Sequence, residues 1–242
     1  MPATDKVLWV VNYDKLSWFV ERARYVGATT VAIRTDNDVA AAITEFHKFN
    51  IKVMGWRWPS AKTDAAMKEA QKAVTLFGQG MDGYYADPEG EPGAPYDWDQ
   101  SGLDQLAENF CSTITAAAKG KPFGTTSHYR GKKTFGKLPW QTFFKYSTVL
   151  LPQAYWRVPG GVIGHGDPAD NYRVSLDCWE QTGGQRDLIV PMAGELGSAK
   201  AGEIKTYASE AEQQGITQLH FYAAEEDNVT KSVWDAVRDA GV

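Results

Sequence analysis

Short runs of β-branched and aromatic residues alternate with longer stretches of helical periodicity along the whole 242-residue chain, and this alternation constrains the fold more than any other feature. The strand candidates are Val7–Val11, Thr30–Arg34, Lys52–Arg57, Gly83–Asp87, Pro122–Thr126, Val149–Tyr155, Leu188–Met192 and Gln218–Tyr222. Clear helical periodicity covers Leu16–Val26, Val39–Phe49, Ala65–Phe77, Leu103–Lys119, Ala199–Gln214 and Thr230–Ala240, with weaker segments at Trp140–Tyr146 and Ala169–Thr182. Gly27, Gly120 and Gly215 stand just past helix ends, where a left-handed residue closes the last turn. A helix between successive strands returns the chain so that the strands pair in parallel, and eight repeats in 242 residues suit a closed barrel. The sequence therefore predicts an α/β fold, a single (β/α)8 TIM barrel spanning residues 1–242. The competing architecture, an open doubly wound sheet, usually carries a glycine-rich phosphate turn after its first strand; "WVVNYDKLSW" has no glycine there. No linker or low-complexity tract divides the chain.

Charge narrows the partners. With 25 basic and 30 acidic residues, a net charge of −5 and no basic run, the chain lacks the positive face that nucleic acid phosphates require. Cys111 and Cys178 lie far apart without metal-ligand spacing and read as buried thiols. The N-terminus "MPATDKVLWVVN" has no basic segment followed by an apolar stretch, and no run approaches the roughly 20 apolar residues of a membrane span. The expectation is a protein made in the cytoplasm without a signal peptide and without a membrane partner, released by lysis or another route if it acts outside. No cofactor or metal is assigned, and the oligomeric state is not legible.

In a barrel of this kind the chemistry sits where the strands end, so the residues closing each strand form a census of the site. That census holds Asn12, Tyr13, Arg34, Arg57, Trp58, Asp87, Glu89, Ser127, His128, Tyr129, Gln153, Tyr155, Trp156, Glu195, Tyr222, Glu225 and Glu226. Aromatic faces beside carboxylates and amides suit a sugar, whose ring stacks on aromatic groups and hydrogen-bonds around its edge. In "MDGYYADPEGEP" the strand period of two puts Tyr85, Asp87 and Glu89 on one face, the barrel interior, and Tyr84 and Ala86 on the other. Two carboxyls then point together at the mouth. A structural ion pair with Arg34 or Arg57 is one account of them; the other is general acid catalysis at a glycosidic oxygen by Glu89, with Asp87 supporting the positive charge that develops at the anomeric carbon.

"DGYYADPE" resembles the fourth-strand signature D-x-x-D-x-D-x-E of family 18 glycoside hydrolases, the chitinases and endo-N-acetylglucosaminidases, through Asp82, Asp87 and Glu89. Tyr85 stands where that signature has its middle aspartate, and Pro88 where a tryptophan often precedes the glutamate. "LLPQAYW" is similar to the family's sixth-strand motif, with Tyr155 as the matching tyrosine. The resemblance implies that Glu89 is the acid, that the substrate's own N-acetyl group is the nucleophile, and that Asp87 and Tyr155 hold that group. The opening segment "VVNYDKLSWFVERARYVGATTVAIR" also looks like that of family 25 muramidases, which cut peptidoglycan and likewise close the fourth strand with a D-x-E pair, although Asn12 replaces their first-strand aspartate. Either resemblance implies a polysaccharide substrate containing N-acetylhexosamine, peptidoglycan or chitin-like. Glu89, Asp87 and Tyr155 are the expected catalytic residues; Trp58, Arg57, Arg34, Tyr85, His128, Gln153, Trp156, Tyr222 and Glu195 are the expected substrate-binding residues. With Tyr85 in place of the aspartate, a carbohydrate-binding barrel without turnover is the alternative.

Two loops carry competing readings. "GGVIGHGDPADNY", with His165 and Asp167, reads as a mobile loop rather than a metal loop. "MAGELGSAKAGE" has the glycines of a phosphate site, but Glu195 within it and the acidic "AAEEDN" after the last strand repel an anion.

Overall fold

Parallel strands close into a barrel and the helices between them form its outer ring, as the alternation predicts. A computed structural model describes residues 5–241; the reading of the N-terminus rests partly on residues 1–4, outside this range. We number the barrel strands β1 (Asp5–Val10), β2 (Thr30–Arg34), β3 (Lys52–Arg57), β4 (Gly83–Ala86), β5 (Phe123–His128), β6 (Val149–Gln153), β7 (Met192–Ala193) and β8 (Gln218–Phe221). The helices are α1 (Leu16–Tyr25), α2 (Val39–His47), α3 (Thr63–Gly78), α4 (Asp104–Ala118), α5 (Trp140–Tyr146), α6 (Pro168–Thr182), α7 (Ala201–Gln213) and α8 (Lys231–Asp239). Each strand pairs with its sequence neighbours, and β1 closes the circle on β8 through Asp5↔Gln218 to Leu8↔Phe221. Among the described residues no helix is long and apolar enough to cross a membrane.

Strand alternation sorts the side chains into two cores. Inside the barrel Trp9, Met54, Trp56, Tyr85, Leu151 and Met192 pack together, while Leu8, Ile33, Tyr84, Phe110 and Phe123 fill the layer between strands and helices. Each such large side chain, fully buried, contributes roughly 1.5–3 kcal/mol. Local signals set the boundaries. Asp38 caps α2 by accepting from the Ala41 N–H at 3.0 Å, and Gly27, Gly120 and Gly215 take φ of +68°, +85° and +73° beyond α1, α4 and α7. Asp167 likewise caps α6, accepting from the Asp170 N–H at 3.0 Å, so the carboxylate of the glycine-rich loop has a structural partner. That loop opens with a small hairpin, Arg157–Val158 against Gly161–Val162.

The seventh strand departs from the expectation of Leu188–Met192. Leu188 ends a short 3-10 turn, Ile189 makes an isolated bridge to Leu150, and the ladder begins only at Met192. Pro191 is the reason: it has no N–H to donate, and its carbonyl accepts from the Tyr207 hydroxyl at 2.9 Å. Cys111 and Cys178 are buried free thiols.

Candidate active site

At the C-terminal mouth of the barrel lies a cavity of about 200 Å³, the liquid volume of roughly seven waters and the scale of one sugar ring. Its aromatic wall is Trp9, Trp56, Trp58, Tyr155 and Tyr222; Asp87, Glu89 and Glu195 supply carboxyls, and Thr126, Gln153 and Met192 complete the lining.

The acid pair rises from the end of β4. Asp87 is buried, with 5% of its surface exposed, and its N–H donates to the Arg57 carbonyl at 2.9 Å, extending the β3–β4 ladder by one step. Glu89 is held by the loop that follows: its carbonyl accepts from the Trp98 N–H at 2.7 Å, and Trp98 donates its indole N–H to the Pro59 carbonyl at 2.8 Å. The Gln153 side-chain amide, from β6, joins the two acids. Its Nε2 donates to Asp87 Oδ1 at 2.9 Å and to Glu89 Oε1 at 3.0 Å.

Burial raises the proton affinity of both carboxyls. Asp87 is pushed well above the ordinary aspartate range by burial first and the neighbouring Glu89 charge second, against the pull of the Gln153 amide. Glu89 is raised by burial, opposed by the same amide and reinforced by Glu91. Among the described residues no cation offsets this. Arg34 is engaged by Asp36 at 2.6 Å and by Asn12 at 2.8 Å, and Arg57 by Asp36 at 3.0 Å and Glu69 at 3.5 Å. Two carboxyls this close, both raised by burial, disfavour carrying two negative charges together.

The aromatic wall is braced from below. Trp9 stacks on Tyr85 (centroids 5.0 Å, 19°) and donates its indole N–H to His220 Nδ1 at 3.0 Å. His220 also bonds the Gln218 side chain through Nε2 at 3.0 Å, and burial pushes it down to about 3, so it stays neutral and acts as an acceptor toward Trp9. Trp56 donates to the Val10 carbonyl at 3.0 Å, and Trp58 lies over Tyr96 (6.2 Å, 17°). Tyr155 and Tyr222 stack at 5.4 Å and 15°. Gly194 makes room for that pair, since a Cβ there would sit 2.5 Å from the Tyr155 ring.

Of the expected site residues, the fold gathers Asp87, Glu89, Tyr155, Trp58, Gln153, Tyr222 and Glu195 around one cavity. Others lie elsewhere. Trp156 is fully buried in the outer core and donates to Glu203 at 3.1 Å, because it is one residue out of phase with Tyr155. Tyr85 is 3% exposed beneath Trp9 and lines the opening at the opposite end of the barrel. Arg34 and Arg57 stay in their carboxylate network, with Arg34 over the outer part of Trp58 at 5.3 Å. His128 sits beside the mouth; its Nδ1 accepts from the Arg130 N–H at 3.1 Å, and burial and Arg130 push it down to about 4. Trp9, Trp56, Thr126 and Met192 line the cavity without having been singled out. Strand parity was the available signal, since Trp9 and Trp56 fall on the inward-facing positions of β1 and β3.

No protein-family model matches the sequence, and no curated protein sequence does. Solved structures resemble the fold. The glycoside hydrolase domain of PgaB (BpsB) from Bordetella bronchiseptica matches 98% of this chain over 98% of its own, with a TM-score of 0.63 and 11% identity. A D-psicose 3-epimerase determined with D-fructose present matches 98% of this chain over 96% of its own, with a TM-score of 0.61 and 9% identity. The GH2 β-galacturonidase from Eisenbergiella tayi, bound to galacturonate, matches 99% of this chain over 51% of its own, with a TM-score of 0.68 and 8% identity. The chain is thus a (β/α)8 barrel whose neighbours in structure include glycoside hydrolases.

Proposed function

We propose that the protein is a glycoside hydrolase acting on a polysaccharide that contains N-acetylhexosamine. The observation that carries this reading is the buried pair Asp87 and Glu89, bound to one Gln153 amide at the edge of an aromatic cavity. Glu89, nearer the opening, is the general acid and base. Asp87, deeper, supports the charge that develops as the glycosidic bond breaks. Both accept from one nitrogen, which limits their bonded oxygens to about 6 Å apart and keeps the two acids at one point of the cavity. In this reading the substrate's acetamido oxygen is the nucleophile, with the Tyr155 hydroxyl as its donor, a course that retains anomeric configuration. Family 18 chemistry fits the D-x-E pair and Tyr155 better than family 25 chemistry, since Asn12 is tied to Arg34.

Gln153 supports the reading against a barrel without turnover. Tyr85 gives Asp87 no hydrogen bond among the described residues, and the position facing Asp87 is taken by the Gln153 amide instead. The test compares release of reducing ends from chitin oligomers and from peptidoglycan by the native chain and by Glu89→Gln. The expected result is cleavage by the native chain and a loss of at least about 100-fold in the variant. Binding of both substrates without cleavage above the variant's background refutes the enzyme reading and leaves a carbohydrate-binding barrel.

A further inference from the structure

Tyr85 faces a second cavity, at the end of the barrel opposite the acid pair. Inward positions at the strand starts enclose about 340 Å³ there, the liquid volume of roughly eleven waters and more than the mouth cavity holds. Barrel interiors are ordinarily filled by bulky branched side chains. Here β8, β1, β2 and β3, consecutive around the circle, contribute Gln218, Asp5, Thr30 and Lys52 instead. Asp5 pairs in register with Gln218, and Thr30 with Lys52, so polar side chains line one continuous arc. On the side of β6 and β7, Val149 and Val190 supply an apolar wall.

Two buried hydroxyls on this lining have no hydrogen-bond partner among the described residues: that of Tyr85, a side chain 3% exposed, and that of Thr30, 8% exposed. A buried hydroxyl left unbonded is costly, so each calls for a partner that enters through the opening. Gln218 adds a fixed donor. His220 Nδ1 accepts from Trp9, so its Nε2 carries the proton and donates to Gln218 Oε1 at 3.0 Å, which leaves the Gln218 NH2 group without a partner among the described residues. Asp5 adds an acceptor, since only its Oδ1 is engaged, by the Thr29 hydroxyl at 3.2 Å. A charged ligand of either sign meets a like charge, from Asp5 and Asp187 or from Lys52, whereas a neutral one meets donors and acceptors on one side and carbon on the other.

We propose that the cavity at the strand starts is a binding site for a small neutral sugar, separate from the catalytic cavity and independent of whether the acid pair turns substrate over. The sugar's hydroxyls bond Tyr85, Thr30, Asp5 and the Gln218 NH2 group, and its C–H face rests on Val149 and Val190. Two methionines tell this site from the mouth, because Met54 lines the one and Met192 the other.

The test labels the methionine methyls of the full chain with carbon-13 and follows Met54 and Met192 by NMR during titration with D-glucose, D-glucosamine and D-glucuronate, one ring carrying no charge, a positive and a negative one. Glucose is expected to shift Met54 saturably, with a Kd on the order of 1 mM, and to bind there about fivefold more tightly than either charged analogue. Tyr85→Phe and Thr30→Val each remove one hydroxyl and keep the side chain's shape, and each is expected to weaken glucose at Met54 about fivefold. The Met192 signal of the free variants, at its native position, shows that the barrel is intact. A response at Met192 alone, no response at either methyl, a charged analogue binding at Met54 as tightly as glucose, or unchanged affinity in either variant overturns the proposal. Failure of the glycosidase reading is separate, since glucose then still shifts Met54 in a chain that cleaves neither chitin oligomers nor peptidoglycan.

Discussion

Replacing Gln153 by leucine isolates the electrostatics of the acid pair without requiring turnover. The substitution keeps most of the side-chain volume and removes the two N–H groups that bond Asp87 at 2.9 Å and Glu89 at 3.0 Å. The pair carries more negative charge at pH 7.5 than at pH 4, and the amide bonds a carboxylate more strongly than a carboxylic acid. A hydrogen bond to a charged partner contributes about 1.5–3 kcal/mol and one to a neutral partner about 0.5–1.5, so with one charged and one neutral acceptor the loss is about 2–4.5 kcal/mol. In a chain of 242 residues that is a fall in Tm of about 4–18 °C. Toward pH 4 the acceptors take up protons, and the loss shrinks by about 1–1.5 kcal/mol for each bond that changes from charged to neutral. The sign follows from linkage. Both folded-state affinities lie above the ordinary values, so the folded chain binds more protons than the unfolded one, and stability falls as pH rises through the folded pKa values. The amide is the interaction that lowers both values; without it they climb further and the fall with pH steepens. Scanning calorimetry of the native chain and of Gln153→Leu at the two pH values reads the difference. A Tm decrement that is equal at both, or larger at pH 4, refutes the assignment of the amide to the charged pair.

Three further outcomes follow from the same geometry. Asp87→Asn removes a carboxyl that burial and Glu89 disfavour in its charged form; the variant is expected to lose hydrolysis while gaining a few degrees in Tm at pH 8, with the gain fading toward pH 4. Trp58→Ala takes one face from the cavity and leaves Trp9 and Trp56 in place, so oligosaccharide binding measured by calorimetry should weaken by about tenfold. Gly194→Val drives a side chain into the Tyr155 ring, which a Cβ already meets at 2.5 Å; turnover should fall while the pH dependence of the acid pair stays as in the native chain.

Strand parity decided what the sequence could reveal of this site. It put Asp87 and Glu89 inward together, and it predicts Trp9 and Trp56 as inner residues once β1 and β3 are placed, since Val7 and Trp9, and Met54 and Trp56, share one face. It also excludes Trp156, which follows Tyr155 by one and therefore faces the helices, where it packs against Tyr207 at 6.0 Å. Gln153 was legible as a strand-end residue, but its bond to both acids depends on β4 and β6 approaching across β5, a distance that no local pattern encodes. The same limit applies to Arg34 and Arg57, whose nearest carboxylates prove to be Asp36 and Glu69 rather than the acid pair.

Tyr85 shows what a one-position departure from a motif does physically. An aspartate there would be a third carboxyl directly below Asp87, in need of a proton or a donor. A tyrosine turns the same inward position into hydrophobic floor, with Trp9 stacked at 5.0 Å and His220 edge-on at 5.9 Å. Burial raises the Tyr85 phenol, and Asp5, at the start of β1, raises it further, so its hydroxyl belongs to the opposite end of the barrel from the acid pair. Tyr85 is thereby separated from the acid pair, whose two members meet at the Gln153 amide. The amide that bonds both acids stands on Gln153 and not at position 85, and the pH-resolved stability of Gln153→Leu measures how strongly it sets their proton affinities.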